Sequence, residues 1–171
     1  MNITFTTTYT PKSMAVMARA LRLTVRKERS ERAHRFGKIA AVLAFATMIL
    51  MAGLGSWARA TMMLLFGVMM VVLLRWNDSI DGYFAYRQML VGTKTVRTVF
   101  TENELTCITE AATTTISYDR IERIAECEDY FVLIYDKNHA QLYEKRAISD
   151  TTIEEFRAWI EQKTGKGVER I

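Results

Sequence analysis

Two histidines, two cysteines and nineteen carboxylates are the groups with which this chain of 171 residues could do chemistry. His34 sits among arginines and lysines, where a solvated or interfacial role is the plain reading. His139 closes Asp136-Lys-Asn-His139, a sequence of ordinary turn chemistry. No C-x-x-C or H-x-x-H pair exists, so Cys107, Cys127 and the two histidines make no zinc signature. Both cysteines fall in a segment read below as cytoplasmic, which predicts reduced thiols acting as small core residues. Asp78 and Asp81 form a D-x-x-D pair of the kind that holds a divalent ion. The competing reading is a helix cap and a first-turn acid facing the helix dipole. Glu122, Glu126, Glu128 and Asp129 read as a solvated acidic edge. Asn2-Ile-Thr and Asn77-Asp-Ser match the glycosylation sequon on the wrong side of the membrane for that use. There is no P-loop, GxGxxG or GxSxG. The sequence therefore singles out no catalytic, cofactor-binding or metal residue, implies no cofactor, and reads as a protein that is not an enzyme.

The elements that position these groups are set by an uneven distribution of apolar residues. From Ile39 to Leu74 the only charged residue is Arg59. Ile39 to Ala58 as helix spans about 30 Å, the thickness of a bilayer core. As one rod, the whole run would put Arg59 near the hydrocarbon centre, at about 3 kcal/mol. A hairpin turning at Gly53-Leu-Gly-Ser-Trp-Ala-Arg-Ala60 places Arg59 in water at its tip. The predicted helices are about 38–57 and 60–76, with Trp57 and Trp76 as anchors at opposite interfaces. Most of the ten methionines, Met48, Met62 and Met69 among them, face lipid or the helix partner. Ala40, Ala44, Gly53 and Gly67 permit close helix packing or dimerisation. Ala58-Arg59-Ala60 mimics a signal-peptidase site, but the charged region before the apolar run is far too long for a signal peptide.

Charge divides the chain into three. Residues 1–38 carry +7, from nine bases against Glu28 and Glu31, and residues 77–171 carry −5. Bases therefore flank the hairpin on the side of both termini, which predicts a multi-pass protein of the cell membrane with both ends cytoplasmic. Before the hairpin, Ile3, Phe5, Thr7 and Tyr9 alternate with polar residues as a strand ended by Pro11. Thr10 or Ser13 can cap a helix with Met14, Met17, Ala18, Leu21 and Val25 at helical spacing. Its arginines suit either anionic headgroups or the charged lead-in to the first span. No nucleic-acid module accompanies them.

After Trp76, residues 79–90 read as a capped amphipathic helix closed by Gly92. Short strands follow at Val96–Phe100, Leu105–Thr109, Thr113–Tyr118, Ile121–Glu126, Tyr130–Tyr135 and Ala140–Tyr143. Ser149-Asp150-Thr-Thr then opens a helix with Ile153, Phe156, Trp159 and Ile160 on one side, ended by Gly165. Strands at this spacing imply an antiparallel sheet or small barrel, with Phe156 and Trp159 as its plug. The strand at residues 1–10 is expected to complete that sheet, since an isolated strand is not stable.

The threonine-rich strand ending Tyr-Thr-Pro, the basic helix, the hairpin, and above all Ile116-Ser-Tyr118-Asp-Arg-Ile121-Glu-Arg-Ile124 followed by Tyr130-Phe131 resemble the YcxB-like membrane proteins of bacteria. That resemblance implies a C-terminal pleckstrin-homology-like (PH-like) domain and carries over no functional residues. The fold expected is membrane α+β, a two-helix transmembrane hairpin followed by a small antiparallel PH-like β-barrel or sheet capped by a C-terminal helix. The divisions are 1–36 (strand and basic helix), 37–76 (hairpin), 77–92 (linker helix), 93–165 (cytoplasmic PH-like domain) and 166–171 (tail). The function expected is a noncatalytic module offered to a protein or lipid partner. The partners expected are the bilayer and a protein or second copy, with no nucleic acid. The alternatives are a subunit of a transport or envelope-stress assembly, or a metal-dependent enzyme on lipid headgroups at Asp78 and Asp81.

Overall fold

A computed structural model describes residues 3–149 and 151–171. The roles assigned to Asn2 and Asp150 lie outside the described residues. The chain forms two compact units: Lys27–Asn77, and the described residues of Met1–Arg26 with Asp78–Ile171.

In the larger unit, β1 (Ile3–Thr8) buries Ile3, Phe5 and Thr7 and turns Thr6 and Thr8 outward, the period of two that the sequence carries. Thr10 caps α1 (Pro11–Leu23) in a reciprocal box with Ser13, and Pro11 opens the helix where its missing N–H costs nothing. Neither expectation for α1, a helix on lipid headgroups or a lead-in to the span, names what its apolar side packs on. Met14, Ala20 and Leu21 are buried in the core shared with the strands, and α1 packs on the strands at Tyr130–Ile134 and Ala140–Glu144. An amphipathic stripe reports that a helix buries one side; it does not say against what.

β2 (Thr95–Phe100), β3 (Glu104–Ile108) and β4 (Thr113–Ser117) follow β1 in an antiparallel sheet of order β1-β2-β3-β4. Ile3 pairs with Phe100 and Thr8 with Thr95, so the N-terminal strand does complete the tail's sheet. After a short turn of 3-10 helix at Tyr118–Arg120 come β5 (Arg123–Glu126), β6 (Tyr130–Ile134) and β7 (Ala140–Glu144). Then α4 (Ile153–Thr164) leads to β8 (Val168–Arg170). Their sheet has the order β7-β6-β5-β8. Two four-stranded sheets thus stand where one antiparallel sheet or small barrel was expected. The tail segment 166–171 supplies a strand, and it runs parallel to β5. Three residues with two charges carry no strand signal of their own; the neighbouring edge recruits them.

Phe156 of α4 fills the space between the sheets, with ring centroids 4.9 Å from Phe5, 5.1 Å from Phe131 and 5.4 Å from Phe100. Trp159 lies edge-on to Tyr118 at 5.6 Å. Thr152 and Glu155 cap α4 reciprocally, and Gly165 ends it at φ +66°, a left-handed turn.

The smaller unit holds α2 (Lys27–Gly53) and the first part of α3 (Trp57–Gln88), joined by Leu54-Gly55-Ser56 with Gly55 at φ +72°. Both helices are long and apolar enough to cross a membrane. They pack through small residues: a Cβ on Gly37 would stand 2.8 Å from Leu74, and one on Gly67 3.1 Å from Phe45. Ala41, Ala44 and Ala60 are buried beside them. Thr47 and Thr61 donate their hydroxyls to the carbonyls of Leu43 and Trp57 one turn back, at 2.7 and 3.0 Å, so neither needs water. The helix expected from Ser79 is present: non-helical backbone at Trp76 (φ −113°, ψ 16°) breaks α3, and a second stretch of helix runs from that kink to Gln88.

Candidate functional site

Each residue set aside or weighed for chemistry has a place. His34 Nδ1 lies 3.0 Å from the Ser30 carbonyl, an acceptor on its own helix. Asp78 lies in the first turn after the kink at Trp76 and is held by an arginine. Arg22 of α1 donates Nε and Nη2 to its two oxygens at 2.6 and 2.7 Å, a bidentate pair. Asp81 is exposed, and among the described residues no three ligating side chains gather. One turn on, a Cβ at Gly82 would lie 2.4 Å from the Ala15 nitrogen. There α1 and α3 cross backbone against backbone.

Glu126 departs furthest from its expected role. It is 6% exposed, not a solvated edge. Arg157 of α4 donates Nε and Nη2 to it, both at 2.8 Å, and Lys145 donates from 2.8 Å. The Arg157 hydrogen bonds, and after them Lys145, push the carboxyl down to about 2 against the cost of burial. Lys145 also lies 5.2 Å over the Phe131 ring. The triad pins α4 to β5 and to the turn that follows β7. Beside it Cys127 lines a cleft of about 360 Å³ with Arg170 and Ile171. Burial pushes its thiol up, which disfavours the nucleophilic thiolate.

Cys107 is buried 3.1 Å from Gln141 Nε2, while Gln141 Oε1 accepts from the hydroxyls of Tyr135 (2.7 Å) and Tyr143 (2.5 Å). Both tyrosines are raised above their ordinary values by burial. Tyr9 in the same interior is pushed up to about 12 by burial. These hydroxyls stay protonated at any physiological pH and serve as fixed donors. Among the described cysteines none is in a disulfide.

What remains open is the outer edge of β4. Four of its five residues are exposed, and no strand pairs on its far side. Next to that edge Thr115, Ile116, Ser117, Arg120, Asp136 and His139 line a cleft of about 480 Å³. Asp136 holds the turn that forms one wall. Its Oδ1 accepts from the Asn138 and His139 amides at 2.6 and 2.9 Å, and its Oδ2 lies 2.7 Å from His139 Nδ1. The Asn138 amide, then His139, lower its carboxyl. Among the described residues Arg120 has no ion-pair partner. An edge of unpaired amides and carbonyls, hydroxyls on the strand and a free guanidinium can hold an extended polar chain.

The edge, the cleft and the Glu126 triad all fall between Phe100 and Ile160. Residues 100–160 match the model of the YcxB-like protein family. Over this stretch the chain is similar to that family. The matched segment holds β3 to β7 and most of α4, with the Tyr118, Ile121, Ile124 and Phe131 side chains that the sequence resemblance rested on buried in its core. No curated protein and no solved structure matches the chain.

Sequence reasoning missed the Glu126 triad, the Gln141 hub and the Gly82 crossing. Only the last left a signal: a glycine inside an otherwise good helix, Asp-Gly-Tyr-Phe-Ala-Tyr, marks a close approach. The small residues assigned to packing divide. Ala44 and Gly67 are buried between α2 and α3, whereas Gly53 has open space around it.

Proposed function

We propose that the protein is a noncatalytic membrane-anchored binding module. The helices α2 and α3 cross the cell membrane as a hairpin with both ends cytoplasmic, and the β unit is a PH-like domain. Its two sheets and C-terminal helix support that plan. The binding site is the β4 edge with its adjoining cleft, and the partner is a protein that adds an extended segment there. The observation that carries this is the open edge itself. β1 abuts β7 and β8 covers β5, which leaves β4 as the long unpaired edge among the described strands. Among the described residues no cluster of metal-ligating side chains accompanies it. Asp136, the carboxylate beside His139, is committed to backbone amides, which argues against acid–base work at that pair.

The test is a photo-crosslinking amino acid at Thr114 of the full chain in its native membrane, with Glu154 on α4 as the control position. A discrete adduct from Thr114 and none from Glu154 is the expected result. Equal yields from the two positions would rule out the β4 site. The intact chain is required, because β1 and α1 are part of the unit that bears the edge.

A further inference from the structure

Within the hairpin unit, one stripe of α2 changes character along its length. Arg29, Arg32, Phe36, Ile39 and Leu43 recur every three or four residues and are all exposed, Phe36 to 72%. They lie away from Gly37, Ala41 and Ala44, which face α3. Arg35 and Lys38 stand beside them, also exposed. The Gly37–Leu74 contact brings the next residues of α3, Arg75 and Trp76, to the same end of the helix pair. Against these bases stand Glu28, 3.6 Å from Arg32 at the surface, and Glu31. Cationic heads, an aromatic ring and then bare aliphatic side chains follow each other along one rod. That is the order of phosphate, interface and hydrocarbon met on entering one leaflet of an anionic bilayer.

We infer that this collar is a binding site for the phosphate headgroups of anionic phospholipids, with Arg32, Arg35 and Lys38 as its main ligands and Phe36 and Trp76 beside the glycerol. The inference rests on the spanning reading above and deepens it. A free phosphate shares the headgroup's charge, but the exposed Ile39 and Leu43 immediately beyond the bases favour the lipid source.

Trp76 is the reporter. The full chain carrying Trp57→Phe is reconstituted in phosphatidylcholine vesicles with either brominated phosphatidylglycerol or brominated phosphatidylcholine as quencher. Trp159, in the other unit, supplies a constant background. Phosphatidylglycerol is expected to quench at a mole fraction lower by at least about threefold, since each base near an anionic surface contributes. Raised salt should shrink that preference. In Arg32→Gln/Arg35→Gln/Lys38→Gln it should fall to near one while quenching by phosphatidylcholine persists. The charge-preserving Arg32→Lys/Arg35→Lys/Lys38→Arg should keep it. Equal quenching by both lipids, or a preference untouched by the glutamine variant, overturns the collar and leaves the spanning hairpin standing. Loss of the preference in inorganic phosphate, but not in chloride of equal ionic strength, overturns the lipid source. Absence of quenching by either lipid overturns the spanning reading and the collar together.

Discussion

Glu126 shows how one buried charge couples three elements. Its carboxyl is lowered from 4.5 to about 2, so folding binds it more tightly in the ionised form. The sign follows from linkage: the unfolded state holds the proton more readily, so stability from this group is complete above about pH 4.5 and is lost as pH falls from there toward 2. Glu126→Gln keeps the shape and leaves Arg157 and Lys145 facing an uncharged amide. Removing one partner of a buried pair costs about 3–5 kcal/mol, and less where the bases still reach water, as Arg157 does. Thermal melts of the full chain in detergent should show a loss of about 2–4 kcal/mol at pH 7, together with a shallower decline between pH 5 and pH 3. A variant whose acid limb overlays the wild type would remove Glu126 from the centre of the triad. In the sequence, Glu126 stands with Glu122, Glu128 and Asp129, and nothing separates the buried acid from its solvated neighbours. Strand alternation is the reason. It sends Glu126 inward only once the register of β5 against β6 is known.

At the level of elements, legibility follows the range over which a signal acts. The strands β2 to β7, α4 and the caps at Thr10 and Gly165 are written in local periodicity and local turn chemistry, and each lies within a few residues of its expected place. The surface that α1 packs on and the parallel strand β8 depend on partners distant in sequence, and there the sequence was silent. Gly82 illustrates the difference. In a helix alanine is favoured over glycine by about 1 kcal/mol, but a methyl at Gly82 would meet the Ala15 backbone at 2.4 Å. Backbone cannot rotate aside, so Gly82→Ala should destabilise by about 3 kcal/mol. Gly53→Ala, with nothing within 4 Å of the new methyl, should be neutral or stabilising by up to about 1 kcal/mol. Chemical denaturation of the two variants decides this; equal responses would mean the α1–α3 crossing is loose. β1 offers a second contrast. Phe5 is fully buried within 5.6 Å of three aromatic rings, and Thr6 points outward. Its nearest aromatic neighbour, Phe156, belongs to α4. Phe5→Ala should therefore cost about 3–5 kcal/mol and loosen α4 as well, visible as enhanced proteolysis after Lys163, whereas Thr6→Ala should stay within about 0.5 kcal/mol.

For the whole molecule, the pairing of β1 with β2 carries a topological consequence. β1 precedes α2 and β2 follows α3, yet Ile3 and Phe100 are neighbours in one sheet. A chain that keeps this pairing crosses the bilayer an even number of times, because a single crossing would leave the two strands in different compartments. Lengths agree with two crossings. Trp57 and Trp76 are separated by about 28 Å of helix, close to a hydrocarbon core of about 30 Å. The uncharged part of α2, from Ile39 to Gly53, is shorter at about 22 Å, and Lys38 and Arg35 make up the difference by reaching outward along their stems. The bases before Ile39 favour the cytoplasm for both ends. Compartment reporters fused before the first residue and after Ile171 should then read the same cytoplasmic side. A cysteine introduced by Ser56→Cys, in the bend between the helices, should react with a membrane-impermeant maleimide added to intact cells. Buried Cys107 and half-buried Cys127 should not react under the same conditions. Reporters on opposite sides would mean that β1 and β2 never meet in the cell, and the sheet order described above would have to be abandoned along with the hairpin.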